Sequence, residues 1–309
     1  MQGLEAAEKF FRQDGMPMLE KSFAEYLPRI AAGLSGRGSE CFECDDDISR
    51  DHDFATGFAL YLTQQDEAEF GFALERAYRN LLKNLPQTAA GSQSSLFGGS
   101  EHGVIIIEDF FERHIGIPRA PESFDEWLNI PEYALAEAAN GKLFCDPSGV
   151  MSAIRKKILY GMPEDVRLKK LAARAAVMAQ SGQYNFMRCI KHGEPAAAAL
   201  ALDEFVRNAI SMIFLLNFRF APYYKWSFKI MRQLPNLAGT GALLEEVLTA
   251  GNDQQTRAQT VEKIAQQIIQ ELIAQNLSSS SSDYLENHAL EITCRIRSRE
   301  LRSRHIMLG

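Results

Sequence analysis

The sequence has no apolar run near the ~20 residues that a bilayer-spanning helix requires. Its longest apolar stretch, around Ile213 to Leu216, is short and is followed by Arg219. Membrane insertion is therefore not expected. The N-terminal residues MQGLEAAEKFF carry acids, and they lack the basic and apolar regions of a secretory leader. Cysteine is sparse: five residues, an odd number, are scattered over 309 positions. That pattern excludes a disulfide framework and reads as reduced thiols in the cytoplasm. A second Cys pair is also missing. Cys41-Phe-Glu-Cys44 stands alone, whereas a structural zinc site needs four ligands, usually from two such pairs. Excess positive charge is absent too, since 33 Lys and Arg face 40 Asp and Glu, for a net charge of −7. Nucleic acid and anionic membranes are thus unexpected partners. The exception is local: the last fifteen residues hold Arg295, Arg297, Arg299, Arg302 and Arg304 against one acid, Glu300.

What is present is ordinary for a globular protein, with 46% hydrophobic and 24% charged residues. The length favours two domains. The first thirty residues read as two helices, broken at Asp14-Gly15 and restarted at Pro17. A short strand follows in RIAAGLS, then a glycine-rich turn and an acidic loop. A strand-like segment runs from Phe58 to Thr63, and an amphipathic helix from Gln64 to Leu85. A Gly/Ser-rich loop precedes a third strand, Val104 to Ile107, which leads into a helix with Asp109 and Glu112 spaced as a capping box.

From Ser123 the pattern is helical, interrupted by a Pro/Gly turn in KLFCDPSG (142–149). Long helices are predicted over 163–192, 195–217, 222–234, 241–250, 256–276 and 282–304, with Arg295, Arg299 and Arg302 sharing a face of the last. The serine run 278–282 reads as a linker or a solvated turn. The expected architecture is α+β: a small mixed-sheet domain over 1–122, then an all-α domain over 123–309.

The informative segment is Gly33 to Phe54. Gly33, Gly36 and Gly38 permit a tight turn, and the amides of such a turn, with the Ser39 hydroxyl, can cradle phosphate. Asp51-His52-Asp53 follows. In a strand the two aspartates project from one face, their Cα atoms about 6.5–7 Å apart. Their carboxylates would repel by about 3 kcal/mol at an effective dielectric near 20. A divalent cation removes that repulsion, and Mg²⁺ prefers one or two carboxylates plus phosphate oxygens. The competing reading is a solvated acidic loop, since Glu40, Glu43, Asp45, Asp46 and Asp47 surround the motif. Tyr223-Tyr224-Lys225-Trp226 offers aromatic platforms beside a cation, suited to a base and a phosphate or equally to a structural ion pair. Asn217 is a weaker candidate nearby. Arg188 and His192, one helical turn apart, read as a surface pair.

Gly38-Ser39 followed by Asp51-x-Asp53 resembles the nucleotidyltransferase superfamily of DNA polymerase beta and kanamycin nucleotidyltransferase. The wider chain resembles a bacterial family in which such a region precedes a domain of unknown function numbered 4037. The resemblance rests on GSECFECDDDISRDHDF (38–54), PEDVRLKKLAA (163–173), FLLNFRFAPYYKW (214–226) and RIRSRELRSRH (295–305). It implies Mg²⁺ or Mn²⁺ bound by Asp51 and Asp53. It further implies an NTP held by Gly38 and Ser39, and transfer of a nucleoside monophosphate to an acceptor. A third carboxylate on a later strand is part of the superfamily pattern, and Glu108 and Asp109 are the candidates. The acidic charge points to a small cationic molecule or a protein as acceptor. The alternative is a catalytically inactive nucleotide- or partner-binding protein on the same fold.

Overall fold

A computed structural model describes residues 3–46, 57–83, 101–249, 251 and 253–309. The chain forms two compact units: Met1–Pro121 with Ala134–Gly161, and Glu122–Tyr133 with Met162–Gly309. The division differs from a single cut after residue 122, because the segment 134–161 returns to the first unit.

The reason for that return is a strand. Lys142–Cys145, expected as part of a turn, is β4 of a four-stranded sheet. The others are β1 (Ala31–Leu34), β2 (Ala59–Leu62) and β3 (Gly103–Ile106). The order is β3-β2-β1-β4. β1 runs antiparallel to β2 and β4, and β2 runs parallel to β3, so the sheet is mixed. The two central strands are buried at every position, which explains their unbroken apolar character. Side chains alternate across β2. Phe58, Leu60 and Leu62 join a core with Phe10, Phe11, Leu19, Phe70 and Leu74. Tyr61 faces the other way, edge-on to Phe110 of the Ile107–Ile115 helix.

Asp14-Gly15 does not break the first helix. Gly3–Phe10 continues through a π-helical turn, Phe11–Gly15, into Met16–Ser22. Gly15 keeps helical angles (φ −66°), and a Cβ there would lie 2.6 Å from the Phe58 ring. Glycine serves close packing at this point rather than a chain reversal. Asp109 is not a helix cap either. The helix starts at Ile107, and its cap, Ile106, has no side-chain hydrogen bond.

Among the described residues the second unit is helical. Glu164–Met178 is its centre, packed against Pro195–Leu216 and Leu285–Arg295. Three of its charged residues, Arg167, Lys169 and Lys170, are buried with it. Lys169 Nζ donates to the carbonyls of Arg304 and His305 at 3.1 and 2.7 Å, and Lys170 Nζ reaches that of Leu128 at 3.4 Å. Burial pulls both amines below their ordinary pKa.

Two expectations change here. The predicted 282–304 helix is two, Leu285–Arg295 and Arg299–Ser303. Between them Ile296 is buried, and Asp165 accepts the N–H groups of Arg297 and Ser298. Arg295, Arg299 and Arg302 therefore do not line one helical face. The serine run is ordered: Glu291 Oε2 accepts from the amides of Ser279 and Ser280 and from the Ser278 hydroxyl. Fully buried His288 bonds Ser278 Oγ at 2.8 Å and the Ser282 carbonyl at 2.9 Å. No helix among the described residues is long and apolar enough to cross a membrane.

Candidate functional site

The site is built where β1 ends. After Leu34 the chain turns through Ser35-Gly36-Arg37-Gly38, with Gly36 at φ +127°, a conformation that L side chains rarely adopt. Asn140 fixes the turn. Its Oδ1 accepts the Gly36 N–H at 2.9 Å, its Nδ2 donates to the Gly36 carbonyl at 2.7 Å, and its own carbonyl accepts the Ser35 hydroxyl at 3.0 Å. Arg155 in turn donates to the carbonyls of Ala139, Asn140 and Gly141. The loop is held by a side chain, and that side chain by a guanidinium.

Ser39 caps a 3-10 turn, Glu40–Phe42, and its carbonyl accepts the amides of Phe42 and Cys44. The Glu40 carboxylate lies over this turn, with Oε2 3.3 Å from Ser39 Oγ and Oε1 2.1 Å from where a Gly38 Cβ would sit. A carboxylate thus occupies the ground assigned to phosphate. Asp51 and Asp53 lie outside the described residues.

The fold adds a charged cluster beneath the glycine turn. The Glu101 carboxylate fills the space a Cβ on Gly36 would need, at 2.6 Å. His114 lies between two acids: Nε2 is 3.7 Å from Glu101 Oε2, and Nδ1 is 3.8 Å from Glu137 Oε2. Arg37 Nε is 3.6 Å from the same Glu137 oxygen. The His114 side chain is wholly buried, yet among the described residues no partner lies within hydrogen-bond distance of either ring nitrogen or of Glu101 Oε2. Burial lowers the His114 pKa. The carboxylates on either side outweigh it, and the net shift is upward from 6.5.

A raised histidine pKa stabilises the folded state at low pH, and the gain is lost as pH rises through the raised value. His114→Gln is therefore expected to lose more stability against wild type at pH 6 than at pH 8. Urea midpoints at the two pH values measure this, and equal losses would contradict it.

Glu108 and Asp109 part company. Glu108 is partly buried, and its Oε2 is buried without a hydrogen-bond partner among the described residues. Asp109 is exposed and lines a shallow depression beside β3 with Glu67, Glu75 and Arg113. Lys225, in the second unit, is exposed with Nζ 4.8 Å above the Trp226 ring. Asn217 is structural: it ties the end of the Pro195–Leu216 helix to both backbone groups of Asn236. His192 is exposed, and Arg188 packs over Tyr184. Cys41 and Cys44 are buried and form no disulfide, and burial pushes the Cys41 thiol well above the ordinary range, which suits an inert thiol. No three His, Cys, Asp or Glu side chains among the described residues are placed to hold a metal ion.

The sequence reading missed Glu101, His114, Glu137 and Asn140. Asn140-Gly141 was the available signal, a turn dipeptide directly before the apolar Leu143-Phe144-Cys145. His114 gave none, because a histidine inside an apolar helical stripe does not reveal which acids the fold brings to it.

A mixed-sheet α+β unit with a side-chain-braced glycine turn, accompanied by a helical unit, is the class these observations define. Residues 127–227 match the family described as a domain of unknown function (DUF4037). A nucleotidyltransferase-like protein from Exiguobacterium sibiricum 255-15 is a similar solved structure, with 10% identity and a TM-score of 0.37 over 92% of this chain and 78% of that one. No curated protein sequence matches the chain.

Proposed function

We propose that the first unit transfers a nucleoside monophosphate from an NTP to an acceptor. The observation that carries this reading is the glycine turn after β1, braced by Asn140. β1 lies directly beside β2, the strand that follows Asp51-x-Asp53 in the chain. The Gly38 and Ser39 amides and the Ser39 hydroxyl hold the triphosphate. Asp51 and Asp53 hold Mg²⁺, and Glu108 is the better third carboxylate, because among the described residues its buried oxygen has no partner, and a cation would supply one. Bound Mg²⁺ supplies charge neutralisation at the reacting α-phosphate and the leaving pyrophosphate. An acceptor oxygen or nitrogen attacks the α-phosphorus, the α–β phosphoanhydride bond breaks, and pyrophosphate departs. The acceptor's proton passes to a carboxylate of this set. The test is incubation of the protein with each NTP, Mg²⁺ and candidate acceptors, with pyrophosphate and self-modification as readouts.

A second reading is a catalytically inactive nucleotide- or partner-binding protein, and the Glu40 carboxylate over Gly38 and Ser39 favours it. The phosphate-binding role of the turn is tested at that residue. Screened repulsion of roughly 1 kcal/mol predicts that Glu40→Gln tightens ATP binding about fivefold. Calorimetry measures it, and an unchanged affinity removes Gly38 and Ser39 as phosphate contacts.

A further inference from the structure

The second unit holds a cavity of about 460 Å³, within the range of small-molecule sites. Three tyrosines, Tyr133, Tyr223 and Tyr224, line it and remain 45, 41 and 65% exposed. They form one aromatic cluster, with ring centroids 6.1 Å apart for Tyr133 and Tyr223 and 4.2 Å for Tyr223 and Tyr224. Large rings grouped around one hollow and left partly to water form the kind of exposed patch that marks a ligand-binding groove. Glu132 is buried in the lining, its Oε1 accepting from Ser211 Oγ at 2.7 Å and from Arg174 at 3.4 Å. Every lining residue lies inside the segment that matches DUF4037.

The charges decide what such a hollow would take. Arg174 directs its donors into the protein, at Ser211, the Gly309 carbonyl and Glu132. Arg207 is paired with Asp203 at 2.7 Å. Exposed Glu204 accepts from a neutral group, the Asn208 amide, at 3.1 Å. Within the lining Arg174 and Arg207 balance Glu132 and Glu204, and Asp203, which pairs with Arg207 and is not itself part of the lining, tips the local charge negative. Ring faces carry negative quadrupole charge and attract cations. We propose that this cavity binds a small organic cation, its ammonium or guanidinium head against Glu204 and the faces of Tyr133, Tyr223 and Tyr224. The site stands apart from the transferase reading, since its lining belongs to the second unit and binding there requires no nucleotide.

The experiment titrates the full chain, without nucleotide or metal, with choline, ethanolamine, agmatine and spermidine. The neutral choline isostere 3,3-dimethylbutan-1-ol and adenosine serve as comparisons, and calorimetry or ligand-observed NMR is the readout. The expected result is saturable binding of at least one cation, with the isostere at least about tenfold weaker than choline if choline binds. Glu204→Gln is expected to weaken the bound cation about tenfold, and Tyr224→Ala about threefold to fivefold. Both residues are exposed, so both variants are expected to melt like wild type. Four results would overturn the proposal: no cation bound at about 10 mM, adenosine bound more tightly than every cation, an isostere equal to choline, or cation affinity unaltered by Glu204→Gln.

Discussion

Replacing Asp51 or Asp53 by asparagine is expected to cut pyrophosphate release from an NTP by about 10²- to 10³-fold, with the melting temperature unchanged. Asparagine keeps the shape of the side chain and removes its charge. One carboxylate of the pair then no longer balances the cation that neutralises charge developing at the α-phosphate. Interactions of this type, aimed at charge in the transition state, are worth about 3–4 kcal/mol each when deleted. The loss should fall mainly on kcat, because the NTP would still meet the Gly38 and Ser39 amides. Stability should hold, because like-charged neighbours repel and losing one charge relieves them. Wild-type protein that releases no pyrophosphate with any NTP and acceptor would instead favour the inactive binding reading. Variants that release it at the wild-type rate would show that the two aspartates belong to a solvated acidic loop.

Much of the sheet was legible because its strands follow simple rules. β1 and β2 are short apolar runs flanked by turn residues, and β3 is an apolar run ahead of a helical pattern. β4 was not legible. Its apolar part is only Leu143, Phe144 and Cys145, and Asp146-Pro147-Ser148-Gly149 follows at once, so the run reads as part of a turn. It is an edge strand, specified by its pairing with β1 rather than by its own composition. The helices of the second unit were read from proline starts and helical spacing. The burial of Lys169 and Lys170 was not, because long cationic side chains usually mark a solvated face. They are buried here because the carbonyls of Leu128, Arg304 and His305 stand within reach, and those lie far away in sequence. The same limit applies at the site. Local spacing exposed the glycine turn, whereas the acids around His114 come from separate elements that only the sheet brings together.

Gly141→Ala is expected to destabilise the first unit by about 3 kcal/mol or more. Gly141 has φ +67°, and an alanine Cβ there would sit 2.0 Å from the Leu34 carbonyl oxygen and 3.0 Å from Ser35 Cα. Both obstacles are backbone, so no rotamer change relieves them. The chain would have to pull β4 from β1 near Leu34 and Lys142. That movement would also break the bond from the Gly141 N–H to the Cys41 carbonyl, now 2.9 Å. Gly149→Ala is the matched control. It has φ +71°, but nothing lies within 4 Å of the added Cβ, so it should lose only the ~1 kcal/mol of a left-handed alanine. At about 2–4 °C per kcal/mol for a unit of this size, the two variants should melt several degrees apart. Similar melting temperatures would show that close approach of β4 to β1 is not what requires glycine at 141. Because Gly141 adjoins Asn140, the brace of the Gly36 turn, Gly141→Ala should also weaken any nucleotide binding at that turn, while Gly149→Ala leaves it intact.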